Sequence, residues 1–379
     1  MGAPQLAPLF AGNQFDKLKM RTTKIWRASS PLLLGLGILA TVAQVTAKGE
    51  EAIDEAYNNG STNYGGNNWF ERTTLGGYGE LHLNLNSDKD NAIDFHRWVL
   101  FVNHRFNDRI TLNSELELEH SLSGDGKPGE VELEQAYIDM AFDGGMHLKA
   151  GLFLVPVGTL NERHEPDTFY GVERNPVEKN IIPSTWWEAG LALSKSTEGG
   201  LSWDLAVHSG LKTDAFSIRG GRQKVAKAVA EDAAATARVT YSGISGVNVS
   251  AFANYQSDIT QGGGADASAL LLGATADVQM GAFRLRGLVA SWDIDGAAAA
   301  AAGKDDQWGY YIEPSYGFDI GNGKMGVFAR YHEWDTGGGE IDSVSVGVNY
   351  WPVDHVVFKG DYTDEDGNDS FNLGMGYSF

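Results

Sequence analysis

Apolar and polar residues alternate along most of the chain beyond its first seventy or so positions. Helical periodicity is nearly absent from this region. The clearest run lies at the carboxyl end, where every second residue is apolar: Phe371, Leu373, Met375, Tyr377 and Phe379. A period of two indicates a β-strand whose two faces meet different surroundings. The pattern therefore predicts an all-β chain.

Sixteen segments carry this alternation, and the lengths of their connections follow a rule. Connections after even-numbered strands are tight, whereas those after odd-numbered strands are mostly long, the longest being 158–184. Short turns on one rim and long loops on the other, with an even strand count, are typical of an outer-membrane barrel. The predicted strands are 74–87, 92–106, 109–120, 129–142, 146–157, 185–196, 200–211, 236–243, 247–256, 268–279, 281–292, 306–319, 323–334, 340–351, 354–365 and 369–379.

Aromatic residues support this interpretation. Six of them lie near the rim of short turns: Phe106, Phe142, Tyr241, Phe318, Tyr350 and Phe379. Aromatic rings concentrate at membrane–water interfaces, whereas a soluble sandwich gives no reason to gather them at one end of the strands. We predict a 16-stranded antiparallel transmembrane β-barrel with short periplasmic turns, long extracellular loops and an inserted third loop.

The amino-terminal region predicts export. Several basic residues precede an apolar stretch, 31–43, which is shorter than the roughly 20 residues of a membrane-spanning helix. Val45-Thr46-Ala47 has the small-x-small spacing of a cleavage site, and 41–43 is a second candidate. We predict a signal peptide at 1–47, with initiation at Met20, a short periplasmic lead-in at 48–73 and the barrel at 74–379.

Composition narrows the possible chemistry. The chain has 379 residues and no cysteine, which excludes disulfides, Cys-ligated zinc and thiol catalysis. The net charge is −21, and removing 1–47, with five basic residues and one acid, leaves 24 basic and 49 acidic residues, a net of −25. A nucleic-acid partner is disfavoured, because phosphate binding needs a basic face.

Three segments carry a resemblance to a known family. The last strand, ending in Phe379, resembles the carboxy-terminal signal of Gram-negative outer-membrane proteins. The segments 131–139 (VELEQAYID) and 148–158 (LKAGLFLVPVG) resemble bacterial porins, most closely the phosphate-selective porin O/P group. The resemblance implies sixteen strands, a homotrimer and a third extracellular loop, here 158–184, folded into the pore.

The positions opposite the apolar ones are candidates for the pore lining. The inward set includes an acidic wall and a basic wall, and the inserted loop adds charges of both signs. The candidate pore-lining and constriction residues are Glu115 and Glu117 on the acidic wall, Arg238, Arg284, Arg286 and Arg330 on the basic wall, which Lys359 shares, and Arg163, Glu165, Asp167 and Arg174 in the inserted loop. Fixed charges in a narrow aqueous channel bias which ions enter. Two simpler interpretations stay open: lumen walls need polar residues in any case, and the loop charges pin the loop to the wall.

Inward and outward faces are ambiguous on two strands. On the second, Arg97 shares a face with Val99, and on the fourth, Glu134 shares one with Ile138. Strict alternation therefore assigns charged and apolar residues to the same side of the barrel.

The predicted function is passive diffusion of small hydrophilic solutes and inorganic ions through an outer-membrane channel, without cofactor, metal or catalytic residues. The resemblance implies that strict phosphate selectivity requires basic residues that crowd the pore, and the charge of −25 favours a broader preference. The alternatives are an anion- or phosphate-selective porin, a non-conducting adhesin or structural barrel, and a barrel enzyme. Expected partners are solutes, membrane lipid and lipopolysaccharide. For the last of these, the loop 212–235 offers four basic residues: Arg219, Arg222, Lys224 and Lys227.

Overall fold

The computed structural model describes residues 69–379. The predicted signal peptide at 1–47 and the lead-in as far as residue 68 lie outside the described residues. The last residues of the lead-in form a short helix, α1 (Trp69–Arg72), and the first strand begins directly after it, at Thr73.

Sixteen antiparallel strands form one closed barrel, as the sequence predicts. Each strand pairs with its neighbours in the chain, and β1 pairs with β16 from Tyr78–Ser378 to Asn86–Ser370. Closure leaves no free sheet edge, so backbone groups are paired where water is absent. The strands are β1 Thr73–Asn86, β2 Ala92–Arg105, β3 Ile110–Glu119, β4 Val131–Phe142, β5 Met146–Leu154, β6 Trp187–Ser196, β7 Leu201–Ser209, β8 Ala233–Tyr241, β9 Val247–Gln256, β10 Ser268–Met280, β11 Phe283–Asp295, β12 Asp306–Ile320, β13 Gly323–Asp335, β14 Ile341–Val353, β15 Val356–Glu365 and β16 Asn368–Ser378.

The two rims differ as predicted. One rim carries only tight turns, such as the three-residue turn 143–145, where Gly144 and Gly145 both have positive φ, which glycine adopts without steric cost. Two predicted turns are displaced: Met280 and Pro352 both belong to strands, and their turns are 281–282 and 354–355.

The opposite rim carries the long connections. The longest is residues 155–186, called L3 here, which contains the short helix α2 (Pro176–Asn180). The connection 210–232 contains a 3-10 turn, Arg219–Gly221, and the connection between β11 and β12 contains α3 (Ala297–Ala301). None of the helices among the described residues is both long and apolar enough to cross a membrane.

The outer face is apolar and ends in an aromatic belt. On β16, Phe371 and Leu373 are exposed, whereas Asn372 between them faces inward and is buried. Of the six aromatic residues assigned to the short-turn rim, four are clearly exposed on the surface: Phe106, Tyr241, Phe318 and Phe379.

A β-bulge explains each ambiguous strand. On β2, Phe95 and His96 together face one residue of β1, so the side chains of His96 and Arg97 both point inward. On β4, Glu134 is the extra residue opposite β3, and both Glu134 and Gln135 face the lumen. A bulge shifts the alternation by one residue, so strict parity cannot hold through it.

The barrel interior is not polar throughout, which corrects the expectation that all inward positions meet water. The inward residues of β10 and β11 near the long-loop rim are largely apolar, and Tyr311 of β12 and Trp334 of β13 add to them. They pack against apolar residues of L3 and of the connection 210–232 to form a buried core. Its largest members include Trp186, Ile181, Ile182, Leu211, Ile218, Leu271, Trp292 and Ile294. This core supports L3 from one side.

Candidate functional site

L3 begins and ends at a closed base and extends into the barrel between. The Val155 amide donates to the Trp186 carbonyl at 2.9 Å. Asn161 completes the base. Its side-chain amide donates to the Val155 carbonyl at 2.8 Å and to the Trp186 carbonyl at 2.9 Å, and its side-chain oxygen accepts from the Trp186 amide at 2.7 Å. These bonds fix where the loop leaves β5 and where it returns to β6.

Helix α2 stiffens the returning arm of L3. Asn175 caps it by accepting from the Val177 amide at 2.9 Å, and Pro176 occupies the first turn, where no amide hydrogen is needed. Glu178 in this helix is fully buried and accepts from the Leu160 amide at 2.6 Å and the Tyr311 hydroxyl at 2.7 Å. Burial raises the pKa of Glu178.

The middle of L3, residues 168–172, is bonded to the wall formed by β11 and β13–β15. Successive backbone groups each meet a different inward side chain, and we call this set of contacts the anchor ladder. Three of the donors are cationic, and hydrogen bonds from charged groups are stronger than neutral ones. The contacts are Arg286 Nη2 to Thr168 O at 3.3 Å, Asn349 Nδ2 to Phe169 O at 3.1 Å, Arg330 Nη2 to Tyr170 O at 2.6 Å, Lys359 Nζ to Gly171 O at 2.8 Å, and Val172 N to Asp361 Oδ2 at 2.6 Å.

Carboxylates on the same wall neutralise these cations. The Arg330 guanidinium donates to Glu313 at 2.7 Å, and both side chains are nearly fully buried. Arg284 donates two hydrogen bonds to Asp277, and Arg286 lies 3.6 Å from the same carboxylate. The predicted basic wall is therefore largely paired and largely used to hold L3.

The opposite wall, β2–β4, holds the arm of L3 that follows β5. The Arg97 guanidinium donates to the His164 carbonyl at 2.9 Å. The His164 ring nitrogen Nε2 lies 3.4 Å from Glu134 and 3.6 Å from Glu115. Burial disfavours the charged imidazole, but the two carboxylates outweigh it and raise the pKa of His164 to about 9. The ring is therefore a cation at neutral pH.

The predicted acidic wall lies behind L3. Glu115 and Glu117 both point inward, but each is only 2% exposed. Glu115 also accepts from the Gln135 side chain at 2.7 Å. Their role in conduction stays a prediction.

The charged loop residues are spread along L3. Arg163 is exposed and Glu165 is half-buried. Asp167 accepts from the Ser378 hydroxyl at 3.0 Å at the short-turn rim. Arg174 is partly buried near Arg97, and burial followed by that neighbouring charge lowers the pKa of Arg174.

Arg238 is bonded to L3 rather than free in the lumen. Its guanidinium donates to Glu162 of L3 and, at 2.9 Å, to Asp204 on β7. The structure thus connects Arg238, Arg286 and Arg330 with the loop, while Arg284 lies below it.

A cavity of about 950 Å³ lies between L3 and the short-turn rim. Residues 167–170 of L3 form one side, and Tyr170 and Trp351 contribute aromatic rings. Its charged lining has three carboxylates and two cations, so its charge is net acidic. These groups are Asp167, Asp319, Asp354, Arg284 and Lys324.

Sequence reasoning missed several residues that position the loop. Asn161 and Asn349 carry no signal beyond being polar, and each acts through a backbone group distant in the chain. His164 lies within the predicted inserted loop, 158–184, but its partners Glu115 and Glu134 lie on other elements. A bulge places Glu134 inward, and alternation alone cannot reveal it.

The barrel with an inserted third loop defines an outer-membrane channel, and comparisons with known proteins agree. Residues 197–370 match the family model described as Gram-negative porin. An uncharacterised protein of Aquifex aeolicus (strain VF5) is 29% identical over 343 residues, covering 78% of this chain and 76% of its own. The anion-selective porin from Comamonas acidovorans shares the fold with a TM-score of 0.58 and 11% identity, over 81% of this chain and 99% of its own.

A further structural relative is the outer-membrane protein OmpT of Vibrio cholerae in its trimer form. It has a TM-score of 0.54 and 14% identity, over 81% of this chain and 99% of its own. Together with the barrel, these findings support an outer-membrane channel for passive diffusion that is similar to Gram-negative porins. They do not favour an anion-selective channel over a general one.

Proposed function

We propose that this porin is a non-enzymatic general channel with a modest preference for cations, narrowed by L3. The observation that supports this most is the anchor ladder. Arg286, Arg330 and Lys359 donate to loop carbonyls, so these cations are not free to form an anion path. The basic wall is the element that phosphate selectivity would need.

The cavity below L3 supports the direction of the preference. Its lining carries one more carboxylate than cations, and Arg284 is further neutralised by Asp277. Fixed negative charge beside a narrow aqueous path raises the local concentration of cations. The effect is modest because lining charges of both signs are present.

Planar-bilayer recordings of the purified mature chain test this proposal. We expect stepwise conductance, a cation-leaning reversal potential in a KCl gradient and no block by added phosphate. An anion-leaning potential with phosphate block at low concentration would restore the phosphate-selective alternative. The variant that reverses Arg284, Arg286 and Arg330 would then show whether the block depends on this wall.

Complete absence of conductance would instead overturn the channel proposal. A non-conducting adhesin or structural barrel, or a barrel enzyme, would then be the favoured function. A heat-modifiable band on an unboiled gel serves as the folding control, because an unfolded barrel also fails to conduct.

We also propose that the chain assembles as a homotrimer. The trimer form of the Vibrio cholerae structure supports this assembly. Light scattering of the detergent-solubilised protein, corrected for bound detergent, is expected to give three times the mass of one chain. A mass of one chain at all protein concentrations would contradict it.

Lipopolysaccharide remains a proposed partner of the loop 210–232, although most of the basic side chains predicted for this contact already bind other groups of the protein. Arg219 and Arg222 donate to carbonyls of L3, and Lys224 pairs with Glu130 and Glu132. Lys227 remains exposed at this rim, where it is accessible to a phosphate group.

A further inference from the structure

A cluster of metal-ligating side chains lies at the long-loop rim, apart from the anchor ladder. Asp94 and His96 are near the start of β2, and His120 directly follows β3. The β2 bulge turns His96 toward the inside, and His120 adopts a positive φ of 51°. Local backbone departures from regular strand geometry thus bring the three side chains together.

The distances suit a small cation. The Nδ1 atoms of His96 and His120 lie 3.1 and 2.8 Å from the same oxygen, Oδ2 of Asp94. One ligand atom from each of the three residues lies within 4.8 Å of the others. Zinc binds nitrogen and oxygen ligands at about 2.0–2.2 Å, and tetrahedral ligands are then roughly 3.3 Å apart.

We propose that Asp94, His96 and His120 bind a divalent transition-metal cation of the zinc type at the extracellular mouth. Cations of this type bind well to a set of two imidazoles and one carboxylate, whereas Mg²⁺ and Ca²⁺ favour sites made of oxygen ligands alone. Three protein ligands leave a fourth position for water. The side chains are 31%, 27% and 33% exposed for His96, Asp94 and His120, so the site opens to solvent.

The surroundings add negative charge. The His96 ring stacks on His82 with centroids 4.8 Å apart. The two nitrogens of His82 lie 3.0 Å from Glu173 of L3 and 3.2 Å from Glu80. Through this stack the mouth site is connected with the constriction loop.

Two other groupings of ligand-type side chains among the described residues are built differently. The group of Glu115, Glu134 and His164 is fully buried under L3. The group of Glu119, Glu130 and Glu132 already holds a cation, because the Lys224 ammonium lies 2.7 Å from Glu130 and also bonds Glu132. Of the three groupings found in residues 69–379, the mouth cluster alone combines imidazoles with solvent access.

Isothermal titration of the folded full-length mature porin with Zn²⁺ at neutral pH tests the site. We expect one saturable Zn²⁺ per chain, unaffected by excess Mg²⁺. Loss of second-shell partners alone typically weakens metal affinity 10–100-fold, so removing a ligand by H96A or H120A should weaken it at least about tenfold. The double variant should lose the binding.

The matched control is H147A. His147 forms a similar pair with Asp139, at 3.0 Å, but has no second histidine. We expect H147A to bind Zn²⁺ like the unmodified protein. Equal Zn²⁺ titrations for the unmodified chain and the H96A/H120A variant would overturn the proposal and leave the cluster as a hydrogen-bonded clip. Because binding is measured directly, the result does not depend on conductance.

The conservative variant H96Q keeps the fold testable if alanine disturbs the bulge. Glutamine retains a hydrogen bond to Asp94 but is a poor zinc ligand. Folded H96Q is expected to lose zinc affinity as H96A does, and undiminished binding by H96Q would exclude His96 as a ligand.

Discussion

Replacing both Arg330 and Lys359 by methionine is expected to turn a steady channel into one that flickers between conductance levels. Both cations donate to adjacent carbonyls of L3, at 2.6 and 2.8 Å. A hydrogen bond to a charged group contributes about 1.5–3 kcal/mol, so the double variant weakens the attachment of L3 by roughly 3–6 kcal/mol. Methionine keeps most of the volume, so the change removes the bonds, including the buried pair of Arg330 with Glu313, more than the packing. Single-channel recordings measure the outcome as the frequency of transitions between levels.

Lys324 provides the matched control for this prediction. It lies on β13 like Arg330 and lines the cavity, but it is exposed at the short-turn rim. Lys324→Met removes a positive charge from the lining, so we expect a slightly more cation-leaning reversal potential and no added flicker. If the Arg330/Lys359 double variant conducts as steadily as the unmodified chain, the anchor ladder does not hold the constriction.

Raising the pH through about 9 is expected to loosen the other attachment of L3, at His164. The His164 ring faces Glu115 and Glu134, and the Arg97 guanidinium donates to the backbone carbonyl of His164. The pKa of His164 is raised from about 6.5 to about 9. Its stabilising contribution is therefore fully present below about pH 6.5 and is lost as the pH rises through about 9. A shift of this size corresponds to about 3 kcal/mol.

Flicker measured across this pH range tests the role of His164. The unmodified chain should become noisier above about pH 9, whereas His164→Gln should be noisy at every pH because it cannot carry the charge. His355 is the control, since it pairs with Asp167 of L3 at 3.3 Å but is 70% exposed. Exposed ion pairs contribute little, so His355→Gln should leave the pH profile unchanged. A pH-independent unmodified channel would contradict the assignment.

The strand pattern could be predicted from the sequence because it depends on local information. Each strand separates a lipid-facing side from an inner side, so alternation such as that from Phe371 to Phe379 marks the strand directly. Turn residues such as Gly144 and Gly145 mark its ends through their backbone freedom. The rims follow from the order of short and long connections.

The pore residues were harder to predict because their partners are distant in the chain. The sequence assigned Arg286 and Arg330 to the inner face but could not show that both would reach carbonyls of L3. Alternation also failed at Arg97 and Glu134, since a bulge changes the face without leaving a compositional signal.

By itself the sequence determined a sixteen-strand barrel with a long third loop, because periodicity and the lengths of the connections can be read from neighbouring residues alone. Only the tertiary structure decided what the inward side chains do. It filled the barrel near β9–β13 with an apolar core around Trp186 and Trp292, and it turned the basic wall into the support of L3. The physical reason is that a buried polar group must be paired, and its partner is fixed by where the loop folds rather than by its neighbours in sequence.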